Sequence, residues 1–289
     1  MARVVNALSV DVEEYYHAMI FQEATRGWDH AGWPSRVEAS IARILDLLQH
    51  RHVHATFFVL GEVAASHPAM VRKIAGDGHE IGCHSFRHEN VSRQSPHAFR
   101  ADVRKAKALL EDISGQRVDG YRAPNFSIGR SQRWAWEVLL EEGYRYDSSV
   151  YPVHHDRYGD PEAPRFPYEA HRNGTTCLLE FPIGTLRLRA MNLPIGGGGY
   201  FRLLPVAFAQ SAIRRVNARE GQPLMFYFHP WELDPGQPRA PMRWPHRFRH
   251  RIGLGSEEAK LDRLFRGVPF DTARSVLGLG GPAGVCTPS

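Results

Sequence analysis

The stretch HSFRHEN, His84 to Asn90, sets two histidines four residues apart directly after the run HEIGC. On one helical turn, or on a short loop leaving a strand, this spacing aims both imidazoles at a single cation. With 16 histidines in 289 residues such pairs also arise by chance, so the pair carries weight only in company. That company is the segment SVDVEE. Asp11 and Glu13 are two apart, and on an extended strand their carboxylates face the same side. Two carboxylates in one place divide the labour, one binding a metal and the other taking a proton. Two imidazoles plus one carboxylate form the three-ligand set of a catalytic zinc, whose remaining positions hold water and substrate. The spacing is also that of HExxH metalloproteases, but Ser85, Phe86 and Arg87 stand between the histidines. With no glutamate beside His84 the base comes from elsewhere, and Asp11 is the candidate.

Three further segments bring complementary groups. GYRAPNFS, Gly120 to Ser127, offers Arg122, whose planar fork suits a bidentate hold on Asp11. YDSSVYP offers Asp147. MFYFHPWE ends an apolar run with His229, placed where a general acid protonates a leaving amine.

All these groups sit where apolar runs end, which is where α/β proteins keep reactive side chains. The runs that read as buried strands are residues 4–12, 54–61, 177–182 and 223–230. Between them lie stretches of helical period. SRVEASIARILDLLQ opens with a capping box, Ser35 to Glu38, and places Val37, Ile41, Ile44 and Leu48 on one face. SPHAFRADVRKAKALLEDISG has Ser95 as N-cap, Pro96 at the first helical position and Gly115 as stop. SQRWAWEVLLEEG ends at Gly143. Strands alternating with helices predict a parallel sheet or barrel covered by helices. Residues 152–176, rich in Pro, Gly, His and Asp, read as a long surface loop, and IGGGGYF, Ile195 to Phe201, as a flexible loop near a substrate that lacks any phosphate-loop signature.

Composition sets outer bounds. The chain is 43% hydrophobic and 23% charged, with no apolar run near the roughly 18 residues of a membrane span. The N-terminal run lacks a small-residue cleavage site and reads as a first core strand, so a cytoplasmic location is expected. Cys83, Cys177 and Cys286 are widely spaced, with no CxxC, so reduced thiols are expected rather than a disulfide framework. The +5 charge is concentrated in RAPMRWPHRFRHR, Arg239 to Arg251, which holds five arginines with Trp244 and Phe248 among them. No nucleic-acid motif accompanies that patch, and its plain reading is a solvated loop.

The ordered set SVDVEE, ATFFVLG, HSFRH, RAPNFS, YDSSVYP and FYFHPWE resembles the polysaccharide deacetylase family, the NodB-like carbohydrate esterases, from about Leu8 to Pro230. The segment RHRIGLGSEEAKLDRLFRGVPFDTARSVL further resembles the C-terminal extension of the branch associated with exosortase and exopolysaccharide clusters. The resemblance implies an α/β fold, a distorted (β/α) barrel over residues 1–237 with an extension over 238–289 packed on it. It implies a divalent metal, commonly zinc, and hydrolysis of N-acetyl groups on an amino-sugar polysaccharide. The arginine-rich segment is expected to accommodate an anionic polymer or a lipid-linked precursor through peripheral membrane contact, and no nucleic-acid partner is expected. Carried over, His84 and His88 match the metal histidines, Asp11 the base, His229 the acid, Arg122 the residue orienting the base, and Asp147 the carboxylate tuning the acid histidine. Pro124, Asn125, Tyr151 and Trp231 match substrate-contact positions, with a backbone N–H near Tyr151 facing the oxyanion. The departure is Val12, where many members carry the metal aspartate. Glu13 takes the metal here because it shares a strand face with Asp11; Glu14 serves if the strand ends early, and Asp11 itself is a third choice. The altered motif leaves two rivals: an amide hydrolase of small non-carbohydrate substrates, and a non-catalytic glycan-binding member.

Overall fold

In the computed structural model, which describes residues 3–26, 32–155 and 157–280, the first apolar run forms β1 (Asn6–Val12), buried along its whole length. Ten further strands follow among the described residues: β2 (Thr56–Val59), β3 (Glu80–Cys83), β4 (Gly120–Tyr121), β5 (Tyr146–Asp147), β6 (Tyr168–Asn173), β7 (Thr176–Glu180), β8 (Thr185–Leu188), β9 (Met191–Pro194), β10 (Met225–Phe228) and β11 (Phe270–Asp271). The helices are α1 (Met19–Ala24), α2 (Val37–Arg51), α3 (Gly61–Ser66), α4 (Pro68–Gly76), α5 (Pro96–Ser114), α6 (Trp134–Glu141), α7 (Gly198–Leu203), α8 (Val206–Glu220), α9 (Trp244–Arg251), α10 (Glu257–Gly267) and α11 (Ala273–Val276).

Strands β10, β1, β2, β3, β4, β5 and β7 run side by side, each parallel to the next. Beyond β7, single bridges join Ile183 to Met225 and Gly197 to Tyr227, returning the ring to β10. The result is a distorted barrel, closed by isolated bridges on one side and narrowed at β4 and β5, which are two residues each. Alternation along β1 explains both of its buried faces. Leu8, Val10 and Val12 pack outward with Ile41, Ile44 and Leu48 of α2. Ala7 faces the interior with Phe58, Phe181, Met225 and Tyr227, and Ser9 and Asp11 point the same way toward Arg122.

Local chemistry sets the helix ends. Ser95 caps α5 by accepting from Ala98 N at 3.2 Å, and Gly115 ends it with φ of 67°. The capping box expected at Ser35 does not form. Helix α2 starts at Val37, and its free amides are satisfied from a distance: the Glu14 carboxylate accepts from Arg36 N at 3.0 Å and Val37 N at 3.4 Å, while the Ser35 hydroxyl also donates to it. Glu14 therefore faces α2. Glu14→Ala is expected to lower stability by about 1–2 kcal/mol, the cost of a lost cap, with metal content unchanged; thermal melting with elemental analysis reads both.

Three further expectations are corrected. The long loop is shorter than expected, because residues 168–173 form β6, which pairs antiparallel with β7 across the Gly174–Thr175 turn. The glycine run is ordered: a Cβ on Gly197 would lie 1.8 Å from Tyr227 O, and its φ of 115° suits glycine alone, so the run packs as backbone against β10 and then starts α7. Cys83 is a free buried thiol, but Cys177 is disulfide-bonded and not the reduced thiol expected. Cys286 lies outside the described residues. Among the described residues no helix is long and apolar enough to cross a membrane.

Candidate active site

The C-terminal ends of the strands surround a cavity of about 530 Å³ whose lining includes Asp11, Glu13, His84, His88, Asn125, His229 and Trp231. The two histidines sit on an irregular loop after β3, so their spacing is not that of a helical turn. Asp102 of α5 shapes the loop by accepting from Phe86 N at 2.7 Å and Arg87 N at 3.2 Å. Gly61 admits it, since a Cβ there would lie 2.4 Å from the Phe86 ring. His84 Nδ1 lies 2.8 Å from the Arg122 carbonyl, to which it donates, and this turns Nε2 toward Glu13.

Glu13 Oε2 lies 2.9 Å from His88 Nε2 and 3.8 Å from His84 Nε2, and all three side chains are buried. Their ligand atoms fall within 4.8 Å of one another. Burial alone pushes the Glu13 carboxyl upward, but the His88 charge, hydrogen bonds from both histidines and the His229 charge outweigh it and hold it well below the usual carboxylate range. Two buried imidazoles converging on one carboxylate fit a divalent cation, with the side toward Asp11 and His229 open. Trp231, expected at the substrate, lines the cavity and also donates from Nε1 to Glu13 Oε1 at 3.1 Å, fixing that carboxylate. The choice between Glu13 and Glu14 follows from where β1 stops. Val12 ends the strand, Glu13 continues its inward face, and Glu14 turns to α2.

Asp11 is held by Arg122, whose NH1 donates to Oδ1 at 2.6 Å and to Ser9 Oγ at 2.7 Å. Arg122 is fully buried, donates also to Ser148 O at 3.0 Å, and lies over the Phe58 ring at 4.3 Å. Removing one partner of such a buried pair costs about 3–5 kcal/mol. The geometry thus sets Asp11 in one orientation.

Opposite, His229 Nε2 faces Asp11 Oδ2 at 3.9 Å and Glu13 Oε1 at 3.8 Å. Its other nitrogen, Nδ1, donates to Glu232 Oε1 at 2.5 Å. Burial lowers the imidazole pKa, yet the Glu232 hydrogen bond and the charges of Glu13, Glu232 and Asp11 raise it to about 9. His229 is therefore a protonated donor at neutral pH. Glu232 is in turn paired with Arg202 of α7 at 3.1 Å, and Trp231 is stacked between His229 and His250 at 4.9 and 5.1 Å.

Asp147 is not the partner of His229. It lies on the helix side of β5, where its Oδ2 accepts from Trp136 Nε1 at 2.9 Å and Ser149 donates to Oδ1. Burial raises its pKa and that of Glu180, its neighbour on β7. The carboxylate that holds His229 is Glu232, one 3-10 turn along the same chain, visible in HPWE as an acid three residues after the histidine. Arg202, alone in an apolar helix, carried no such signal. Asn125 lines the cavity, whereas Tyr151 is buried behind it against Tyr158, and Pro124 is buried outside the lining.

Glu232→Gln is expected to move the alkaline limb of the pH–rate profile to lower pH relative to wild type, both metal-loaded, because the largest upward contribution to His229 is lost. The sign extends to stability. A pKa raised from 6.5 to about 9 contributes stability in full below 6.5 and loses it as pH rises through 9. An unchanged limb would show that another group sets it.

Residues 28–146 match the polysaccharide deacetylase family, and residues 148–278 match a domain of unknown function (DUF3473). The junction falls inside the barrel, since β5 ends the first match while β7 and β10 belong to the second. The chain is 36% identical over 96 residues to a peptidoglycan-N-acetylglucosamine deacetylase of Bacillus cereus, covering 33% of this chain and 35% of that one. It is 29% identical over 96 residues to a chitooligosaccharide deacetylase of a Bradyrhizobium species, covering 33% and 42%. It thus spans less than half the length of these relatives. Among solved structures, Puue allantoinase shares the fold with a TM-score of 0.61 at 16% identity, covering 97% of this chain and 92% of that one.

Proposed function

We propose that this chain, whose residues 28–146 match the polysaccharide deacetylase family, hydrolyses the N-acetyl amide of an amino-sugar polysaccharide or of its lipid-linked precursor. The observation that carries this reading is that His229 faces both Asp11, at 3.9 Å, and Glu13 of the Glu13, His84 and His88 cluster, at 3.8 Å. Glu13, His84 and His88 would hold a divalent ion, which when bound would supply polarisation of the amide carbonyl and a nucleophilic water near neutral pH. Asp11, fixed by Arg122, accepts a proton from the attacking water as its oxygen bonds to the carbonyl carbon. His229, fixed by Glu232, donates the proton that lets nitrogen leave as an amine when the C–N bond breaks. The products are acetate and a free amino sugar.

The same cavity draws its acid, His229, and the residues that hold it from the region of unknown function, so that region completes the site in this reading. We assign zinc as the metal, and exopolysaccharide assembly as the setting, on sequence resemblance alone. The test is acetate release from N-acetylglucosamine oligomers and from peptidoglycan, beside a ureide. Turnover confined to acetylated oligomers supports the proposal. Turnover on the ureide alone would make the chain a small-amide hydrolase, and metal binding without any turnover would make it a binding member.

A further inference from the structure

The segment Arg239 to Arg251 has five arginines and no acid, amide or hydroxyl side chain. The structure makes its second half into α9, a helix and not the solvated loop expected. His250 turns inward, 4% exposed, and is bonded to Gln237 at 2.9 Å. At about 100° per residue, Trp244 and Phe248 fall on the opposite side. There they are 67% and 49% exposed and stacked on each other at 5.7 Å. By the same geometry Arg247 flanks this stripe on one side and Arg249 on the other, both exposed, while the Arg251 guanidinium turns to the Pro235 carbonyl at 2.9 Å. The stripe does not stop at the helix. Phe248 also lines the cavity, next to Leu203, itself 52% exposed, and to Met19 and Ile20 of α1.

An apolar surface therefore runs from the cavity wall out onto a helix, faces water, and is bordered by cations. Exposed apolar patches of this kind mark contact surfaces. Aromatic residues at the centre of a short helix with arginines on both flanks suit the headgroup region of an anionic bilayer. A sugar polymer fits less well, because the segment offers no carboxylate, amide or hydroxyl to pair with sugar hydroxyls.

We propose that α9 and the adjoining Leu203 edge dock onto an anionic lipid surface, so that the cavity opens at the bilayer. The proposal stands apart from the hydrolase reading, because lipid binding is measured without turnover. The probe is co-sedimentation of the full chain with vesicles of phosphatidylglycerol and phosphatidylcholine, and with vesicles of phosphatidylcholine alone. Two variants at exposed positions outside the cavity lining are compared, Trp244→Ser and Arg243→Glu/Arg247→Glu. Wild type is expected to bind the anionic vesicles. The double variant is expected to bind at least about 25-fold more weakly, at roughly fivefold per arginine near an anionic surface, and Trp244→Ser also to bind more weakly. Melting temperatures of both variants should match wild type. Absence of binding to anionic vesicles, equal binding by all three proteins, or binding to heparin without binding to vesicles would each overturn the proposal, the last assigning the surface to an anionic polymer.

Discussion

Replacing either His84 or His88 with alanine is expected to strip the bound metal and to lower acetate release by at least about 10³-fold, the scale of a Lewis-acid contribution of several kcal/mol. The two substitutions reach this outcome by different routes. His84 is anchored through Nδ1 to the Arg122 carbonyl, so its removal leaves that carbonyl without its donor and takes one of the two imidazoles from Glu13, which keeps His88 and Trp231. His88 makes the closer approach to Glu13, at 2.9 Å, and its loss removes the first of the favourable contacts that hold that carboxyl low. Elemental analysis and acetate release on the same preparations decide the matter. A variant that keeps stoichiometric metal and full turnover would exclude that histidine from the site.

His229→Ala is expected to behave differently, keeping its metal while turnover falls by about 10²–10⁴-fold, the usual contribution of a positioned acid. The distinction arises because His229 touches the metal cluster only through Glu13, at 3.8 Å, and hands its other nitrogen to Glu232. Substrates differing in leaving group sharpen the reading. An N-acetyl anilide whose departing amine is weakly basic needs less help from an acid, so the deficit should shrink on it. An equal deficit on every substrate, or loss of metal with the histidine, would remove His229 from the role of acid.

How much of this was legible depended on whether the signal was local. Asp11, Glu13, His84, His88, Arg122 and His229 all follow apolar runs, and the alternation that buries Val10 and Val12 turns Asp11 inward whatever the tertiary context. The helix limits at Ser95, Gly115 and Gly143 were readable for the same reason, since caps are chosen within a few residues. The partner of His229 was not. A strand of two residues such as β5 gives alternation too little length to say which way Asp147 points, and it points to Trp136. Strand β6 escaped notice because it lies at a sheet edge and carries polar, half-exposed residues, although the two-residue Gly174–Thr175 turn that follows it, with Gly174 at positive φ, is a hairpin signal. Ser35 looked like a cap because the sequence cannot show that Glu14, 21 residues earlier, takes the position first. The glycine run read as flexible because its rigidity comes from residues distant in the sequence, Ile183 and Gly184 against Gly196 and Tyr227 against Gly197 and Gly198.

Strand β1 also sets a timetable. It pairs with β2 nearby, but equally with β10 and β11, and Asn6 reaches across 263 residues to the Pro269 carbonyl. On a ribosome delivering about 5–20 residues per second, those partners arrive tens of seconds after β1 has emerged. Until then β1 has one open edge, the triad lacks the Trp231 donor that fixes Glu13, and the cavity has no His229. The chain therefore spends its synthesis with an apolar strand edge exposed and its candidate site incomplete until β10 closes the ring, a dependence on long-range closure that predicts slow folding and a need for protection from aggregation during it.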